Sequence, residues 1–184
     1  MRLQRLLISA AVVAAVALPA AAFAQVETTP IPAASKPNFS SMSFLVGSWT
    51  CHTKSARRPA AYVTNVTYSM DPSGYWMDQT SVTNPTAWVT TKLTINDKIT
   101  YDGDTKRWVD VSYGDQGAYG LSFSSGWVGN ELTWHDMSFA PGPDIKSQTP
   151  TTITKVSDTK MTSTSSFTEK SGRKVGVTGV CTKS

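Results

Sequence analysis

Leucine and glutamate are scarce in this chain of 184 residues. After residue 24 the leucines are Leu45, Leu93, Leu121 and Leu132, and the glutamates are Glu27, Glu131 and Glu169. Helical bundles draw heavily on both residue types, so an all-α protein is excluded. Charge is also low, at 16%. A disordered chain combines high charge with few aromatics, but here six Trp, six Tyr and six Phe accompany the low charge. What replaces leucine and charge is hydroxyl: 25 Thr and 22 Ser. A single all-β domain remains.

Histidine and cysteine are nearly absent too. His52 and His135 are the only histidines, and Cys51 and Cys181 the only cysteines. That leaves too few ligands for a Cys/His metal site, and no pattern implies a cofactor. Basic residues show no clustering. After residue 24, 15 Lys and Arg stand against 13 Asp and Glu, with adjacent pairs only at Arg57-Arg58, Lys106-Arg107 and Arg173-Lys174. Nucleic-acid binding needs a concentrated basic patch, so no nucleic-acid partner is expected.

Residues 1–24 read as a secretory signal peptide. Arg2 and Arg5 precede an apolar run from Leu6 to Ala17, and Ala22-Phe23-Ala24 supplies a small-residue cleavage site. The run is short for a membrane span of about 20 residues, and no later segment is apolar enough to be one. The protein is therefore expected to be exported, to a periplasm or beyond the cell. An oxidising compartment favours a Cys51–Cys181 disulfide. Residues 25–41, with Pro30, Pro32 and Pro37, read as a flexible lead-in, and residues 42–184 as the folded domain.

Within that domain apolar residues recur at every second position between turn signals. Tyr62, Thr64, Val66, Tyr68 and Met70 share one face of a strand, and Asp71-Pro72-Ser73-Gly74 turns the chain. Trp88–Ile95 reads as a strand, Asn96-Asp97 as a turn and Lys98–Tyr101 as a short strand. Val109, Val111 and Tyr113 alternate with Trp108, Asp110 and Ser112, while Tyr119, Leu121 and Phe123 share a face. About ten strands joined by short turns make an antiparallel meander. Closure into an up-and-down barrel of about 8–10 strands removes its exposed edges. It also sets the last strand beside the first, with Cys181 next to Cys51. A sandwich would bring the ends together as well.

At Leu45-Val46-Gly47-Ser48-Trp49 the chain resembles the lipocalins and their calycin relatives, which carry Gly-x-Trp at the start of the first barrel strand. Ile99-Thr100-Tyr101-Asp102-Gly103-Asp104-Thr105-Lys106-Arg107-Trp108 resembles a segment of secreted bacterial lipocalin-like barrels of uncharacterised function. The resemblance covers residues 40–184. It implies a calycin-like barrel with Gly47 and Trp49 in structural roles, Trp49 plugging one end, and no established reaction. Two features depart from it. Where lipocalins have an Arg over that tryptophan, the last strand offers Lys183. Where nitrobindins have a late haem-binding His, nothing follows His135.

Candidate chemistry is sparse. No G-x-S-x-G motif accompanies the hydroxyls. His52 lies on the face opposite Trp49. His135 shares a face with Met137 and Phe139 and is either an interior polar group or a hydrogen-bonded structural one. Asp102-Gly103 carries turn chemistry, and Lys106 interrupts any calcium-loop spacing. Asp78, Asp110 and Asp136 sit on faces that include apolar residues. Pointing into a barrel, such a carboxyl would have a raised pKa and could act as acid, base or ligand anchor; pointing out, it would be surface. The aromatics Trp49, Tyr62, Tyr68, Trp76, Trp88, Tyr113, Tyr119, Phe123 and Trp134 would fill the barrel or line a pocket, since a barrel of this size does either. The leading expectation is non-covalent binding of a small, largely apolar molecule without chemistry, with Trp49, Tyr68, Trp76, Trp134 and His135 as ligand-binding residues. The alternatives are an enzyme with an interior Asp or His as general base, and a filled barrel serving structure or protein interaction.

Overall fold

The structure is a computed structural model that describes residues 34–87, 90–139 and 144–184; for Met137, Ser138 and Phe139 only the backbone is described. The expected signal peptide, most of the expected lead-in, Trp88 and Val89 lie outside the described residues. One compact unit spans Ser35–Ser184. A short 3-10 helix, η1 (Phe39–Leu45), leads into twelve strands. These are β1 (Gly47–Ser55), β2 (Tyr62–Met70), β3 (Met77–Thr83), β4 (Leu93–Asp102), β5 (Arg107–Gly114), β6 (Tyr119–Ser124), β7 (Trp127–Val128), β8 (Glu131–Phe139), β9 (Ile145–Gln148), β10 (Thr151–Ser157), β11 (Lys160–Glu169) and β12 (Lys174–Lys183).

Ten of these strands close an antiparallel up-and-down barrel. β1 to β6 pair in sequence, β6 pairs with β8, β8 with β10, β10 to β12 pair in sequence, and β12 returns to β1. The strands β7 and β9 attach to β8 and β11. Tight turns with their own hydrogen bonds join β2 to β3 and β4 to β5. Gly74 N–H donates to the Asp71 carbonyl at 2.9 Å, and Asp102 Oδ1 accepts from Asp104 N–H at 2.9 Å. Asp102 is therefore a turn residue.

The expected seam between first and last strands is present. Cys51 and Cys181 are direct register partners, with Cα atoms 4.0 Å apart, and are bonded through sulfur. One expectation is corrected in β4, which runs unbroken through Asn96-Asp97. Seven residue pairs tie it to β3, and they include both of those residues. The local turn signal is outweighed by a full ladder of interstrand hydrogen bonds.

One end of the barrel is plugged. Met42 and Leu45 of η1 are buried there with Trp49, which is 1% exposed. The indole N–H of Trp49 donates to the Leu45 carbonyl at 2.7 Å, so the ring is held as well as buried. Phe39 packs on Trp108 at 5.3 Å between ring centroids, and Trp108 on Tyr101 at the same separation. The end of the expected lead-in thus belongs to the plug. Lys183 caps the arrangement from β12: its Nζ donates to the Phe44 carbonyl at 3.1 Å and lies 5.1 Å from the Trp49 ring centroid.

Candidate functional site

Above the plug the interior is hollow, with a cavity of about 640 Å³ reaching from Leu45 and Tyr68 to a mouth at Arg57, Arg58 and Tyr62. A second cavity of about 260 Å³ adjoins it and shares Gln79, Ser81 and Ser112 with it. The walls differ in chemistry because the strands differ in composition. Val66, Trp134, Ile153, Met161 and the disulfide are apolar, interspersed with hydroxyls such as Thr64 and Ser163. Gln79, Ser81, Asp110, Ser112, Ser122 and Asp136 form a polar side across β3, β5, β6 and β8.

Two carboxyls, Asp110 and Asp136, lie on that polar side, and a third, Asp97, lines the adjoining cavity. Asp110, Ser122 and Asp136 make a cross-strand row over β5, β6 and β8. Asp97 sits one pair along, opposite Ser112 on β5 and Gln79 on β3. Asp97 is 6% exposed. Its Oδ2 accepts from Gln79 Nε2 at 2.6 Å. Asp136 is exposed towards the mouth and accepts from Ser122 Oγ at 2.7 Å and Gln148 Nε2 at 2.9 Å. Asp110 differs: its Oδ1 is enclosed and has no hydrogen-bond donor among the described residues.

The electrostatics follow from this placement. Burial, then the negative charges of Asp97 and Asp136, push the Asp110 carboxyl up to about 8. Burial lifts Asp97 to about 6, against hydrogen bonds from Ser112 and Gln79 that favour its ionised form. Burial and the same two carboxylates, Asp97 and Asp110, raise the Tyr68 phenol, so it stays protonated at any ordinary pH. At neutral pH this wall therefore presents a neutral carboxylic acid at Asp110 beside an ionised Asp97.

The expected site residues separate. Tyr68 and Trp134 line the cavity, and Trp49 plugs its floor from below. Trp76 stands just before β3 and is outside the cavity lining, and His135 is exposed on the outer face. His52 is exposed as well. Asp78 faces outward and pairs with Lys98 at 2.5 Å, whereas Asp110 and Asp136 face inward. Tyr113 and Tyr119 are largely exposed and border the second cavity. Sequence reasoning missed Asp97 and Gln79. Their signal was the parity of Leu93, Ile95, Asp97 and Ile99, hidden by the turn-like Asn96-Asp97.

Among the described residues no group of three or more His, Cys, Asp or Glu is gathered closely enough to hold a metal ion. No helix among them is long and apolar enough to cross a membrane. No protein-family model matches the chain, and no curated protein matches it.

Proposed function

We propose that this protein is an exported, lipocalin-like barrel that holds a small, largely apolar molecule non-covalently. The observation that carries this reading is the cavity of about 640 Å³, closed at one end and open at the other. Small-molecule sites fall in the same range, roughly 300–1,000 Å³, and combine apolar walls with a few placed polar groups. Export is supported by the disulfide and by the signal-like residues 1–24. The lipocalin-like reading draws on Gly47 and Trp49 at the start of β1, and on Lys183 over the indole where that family uses an arginine.

The test is titration with the neutral apolar dye N-phenyl-1-naphthylamine and a panel of lipids and aromatics. The expected result is saturable one-to-one binding that changes tryptophan emission, with the change reduced in Trp134→Phe. Absence of saturable binding across the panel would overturn the reading. Catalysis has one observation of its own: Asp110, largely protonated at neutral pH in an open cavity, is a general acid in waiting. Turnover of a bound molecule that Asp110→Asn abolishes, with binding retained, would establish it.

A further inference from the structure

We infer that the molecule held in the barrel is an amphipathic organic cation, its apolar body against Trp134, Ile153 and Met161 and its charged nitrogen against Asp110 and Asp136, with Asp97 lining the adjoining cavity. This rests on the ligand-binding reading above and adds the class of ligand.

Three observations point to it. The first is an uncompensated charge. None of the ion pairs among the described residues includes Asp97, Asp110 or Asp136. The basic side chains lining the same cavity, Arg57 and Arg58, stand at the mouth, and Arg57 is engaged by Asp144 and Glu169. Asp136 reaches solvent, but Asp97 and the enclosed Oδ1 of Asp110 do not, and carboxyls inside proteins ordinarily have a paired cation or a full set of donors.

The second is missing donors. Asp97 and Asp136 receive hydrogen bonds from neighbouring amides and hydroxyls, but the enclosed Oδ1 of Asp110 receives none from the described residues. Tyr68, 6% exposed, lines the cavity beside it, and its hydroxyl makes no hydrogen bond with another described residue. A buried acceptor without a donor is costly, and an entering N–H group would supply one. The third is the ring surface. Tyr68 and Trp134 border the same space, and aromatic faces attract cations.

The alternatives fit less well. An anion would meet Asp110 and Asp136, with Asp97 adjoining. A neutral alcohol would supply a donor but leave the charge of Asp97 unpaired. A bare metal ion would need ligands gathered more closely than these.

Binding of such a cation carries a proton balance. Asp110 faces Asp97 from β4, the Tyr68 phenol from β2 and Asp136 from β8; its register partners, Ile99 and Ser122, are uncharged. Burial first, and then repulsion from Asp97 and Asp136, keep the acid neutral, and a cation placed beside it offsets both. Asp110 therefore releases its proton to the buffer as the cation docks, and affinity climbs as pH rises towards about 8.

The experiment is calorimetric titration of the full exported chain with three probes that share one indole body and a two-carbon arm: tryptamine (cation), tryptophol (neutral) and indole-3-propionate (anion). The expected result at pH 7.5 is tryptamine at least tenfold tighter than tryptophol, and no binding of the anion. Tryptamine affinity should rise several-fold from pH 6 to pH 8.5, with proton release seen as a dependence of the heat on buffer ionisation, while tryptophol stays flat. Asp110→Asn should erase both the preference and the pH dependence; should that variant not fold, the wild-type pH profile decides. Equal or tighter binding of tryptophol or the propionate, or a flat tryptamine profile, overturns the inference and leaves the ligand-binding reading intact. No binding of any of the three also overturns it, and the neutral dye then reports separately on the cavity.

Discussion

Lys183 joins three pieces of chain at the plugged end. Its ammonium donates to the Phe44 carbonyl, it sits over the Trp49 indole, and its stem fills the space beside Gly47. A Cβ on Gly47 would lie 2.8 Å from Lys183 Cε, and the backbone there has φ +123°. Glycine is required twice over, by close approach and by a left-handed conformation. Lys183→Ala should lower stability by about 1–3 kcal/mol in urea denaturation, through a lost charge-assisted hydrogen bond and cation–π contact. Lys183→Arg should retain most of it, because a guanidinium both donates and stacks. Gly47→Ala should be at least as harmful, about 1–3 kcal/mol from backbone strain alone. Combined with Lys183→Ala it should cost less than the two singles added, since the clash is relieved and the strain is not. Strict additivity would mean that the two residues do not meet.

At the scale of the strands, β1 and β12 are held twice, by a ladder of seven residue pairs and by the disulfide within it. The sulfur bridge spans 130 positions of sequence, and in the chain-entropy model a loop of that length is worth about 4–5 kcal/mol. Because the ladder closes the barrel on its own, the double variant Cys51→Ser with Cys181→Ser should keep its β-sheet circular dichroism while its melting temperature falls by roughly 10 °C or more. Loss of the sheet signal at low temperature would show that the bridge, not the ladder, closes the barrel. This seam was legible in the sequence, because two cysteines near the two ends of a meander have few other ways to meet. The turn chemistry at Asp71–Gly74 and Asp102–Thr105 was equally legible, being local. The unbroken course of β4 was not. Asn96 and Asp97 look like a turn until β3 is alongside, where Thr80 donates to Asn96 outside and Gln79 to Asp97 inside. Nor could periodicity say which face of a strand looks inward. Trp108, Asp110 and Ser112 share a parity, as do Val109, Val111 and Tyr113, and only closure shows that the first set faces the interior.

For the molecule as a whole, the interior carboxyls and the surface carboxyls pull stability in opposite directions with pH. On the outside, hydrogen bonds from Ser73, Thr105, Lys155 and Arg173 hold Asp71, Asp102, Asp158 and Glu169 below their ordinary values. Whatever these groups contribute is present above the ordinary carboxylate range and is lost as pH falls through their lowered values. On the inside, Asp110 and Asp97 rise from 3.8 to about 8 and about 6. In that window the folded state binds more protons than the unfolded one, so stability falls as pH rises. The interior contribution is whole below the unfolded value of 3.8 and is lost through about 6 for Asp97 and about 8 for Asp110. The size of the Asp110 effect is on the order of a few kcal/mol, since each tenfold change in a proton equilibrium is worth about 1.4 kcal/mol and solvent at the mouth moderates it. The empty barrel should therefore melt highest near pH 5 and several degrees lower at pH 8.5. Asp110→Asn, which places a neutral polar side chain of the same shape in the wall, should remove most of the decline between pH 6 and 8.5 and leave the acid limb below pH 4 unchanged. A wild-type melting temperature that is flat or rising from pH 5 to 8.5 would mean that water reaches Asp110 freely and that the polar wall is no more than another stretch of surface.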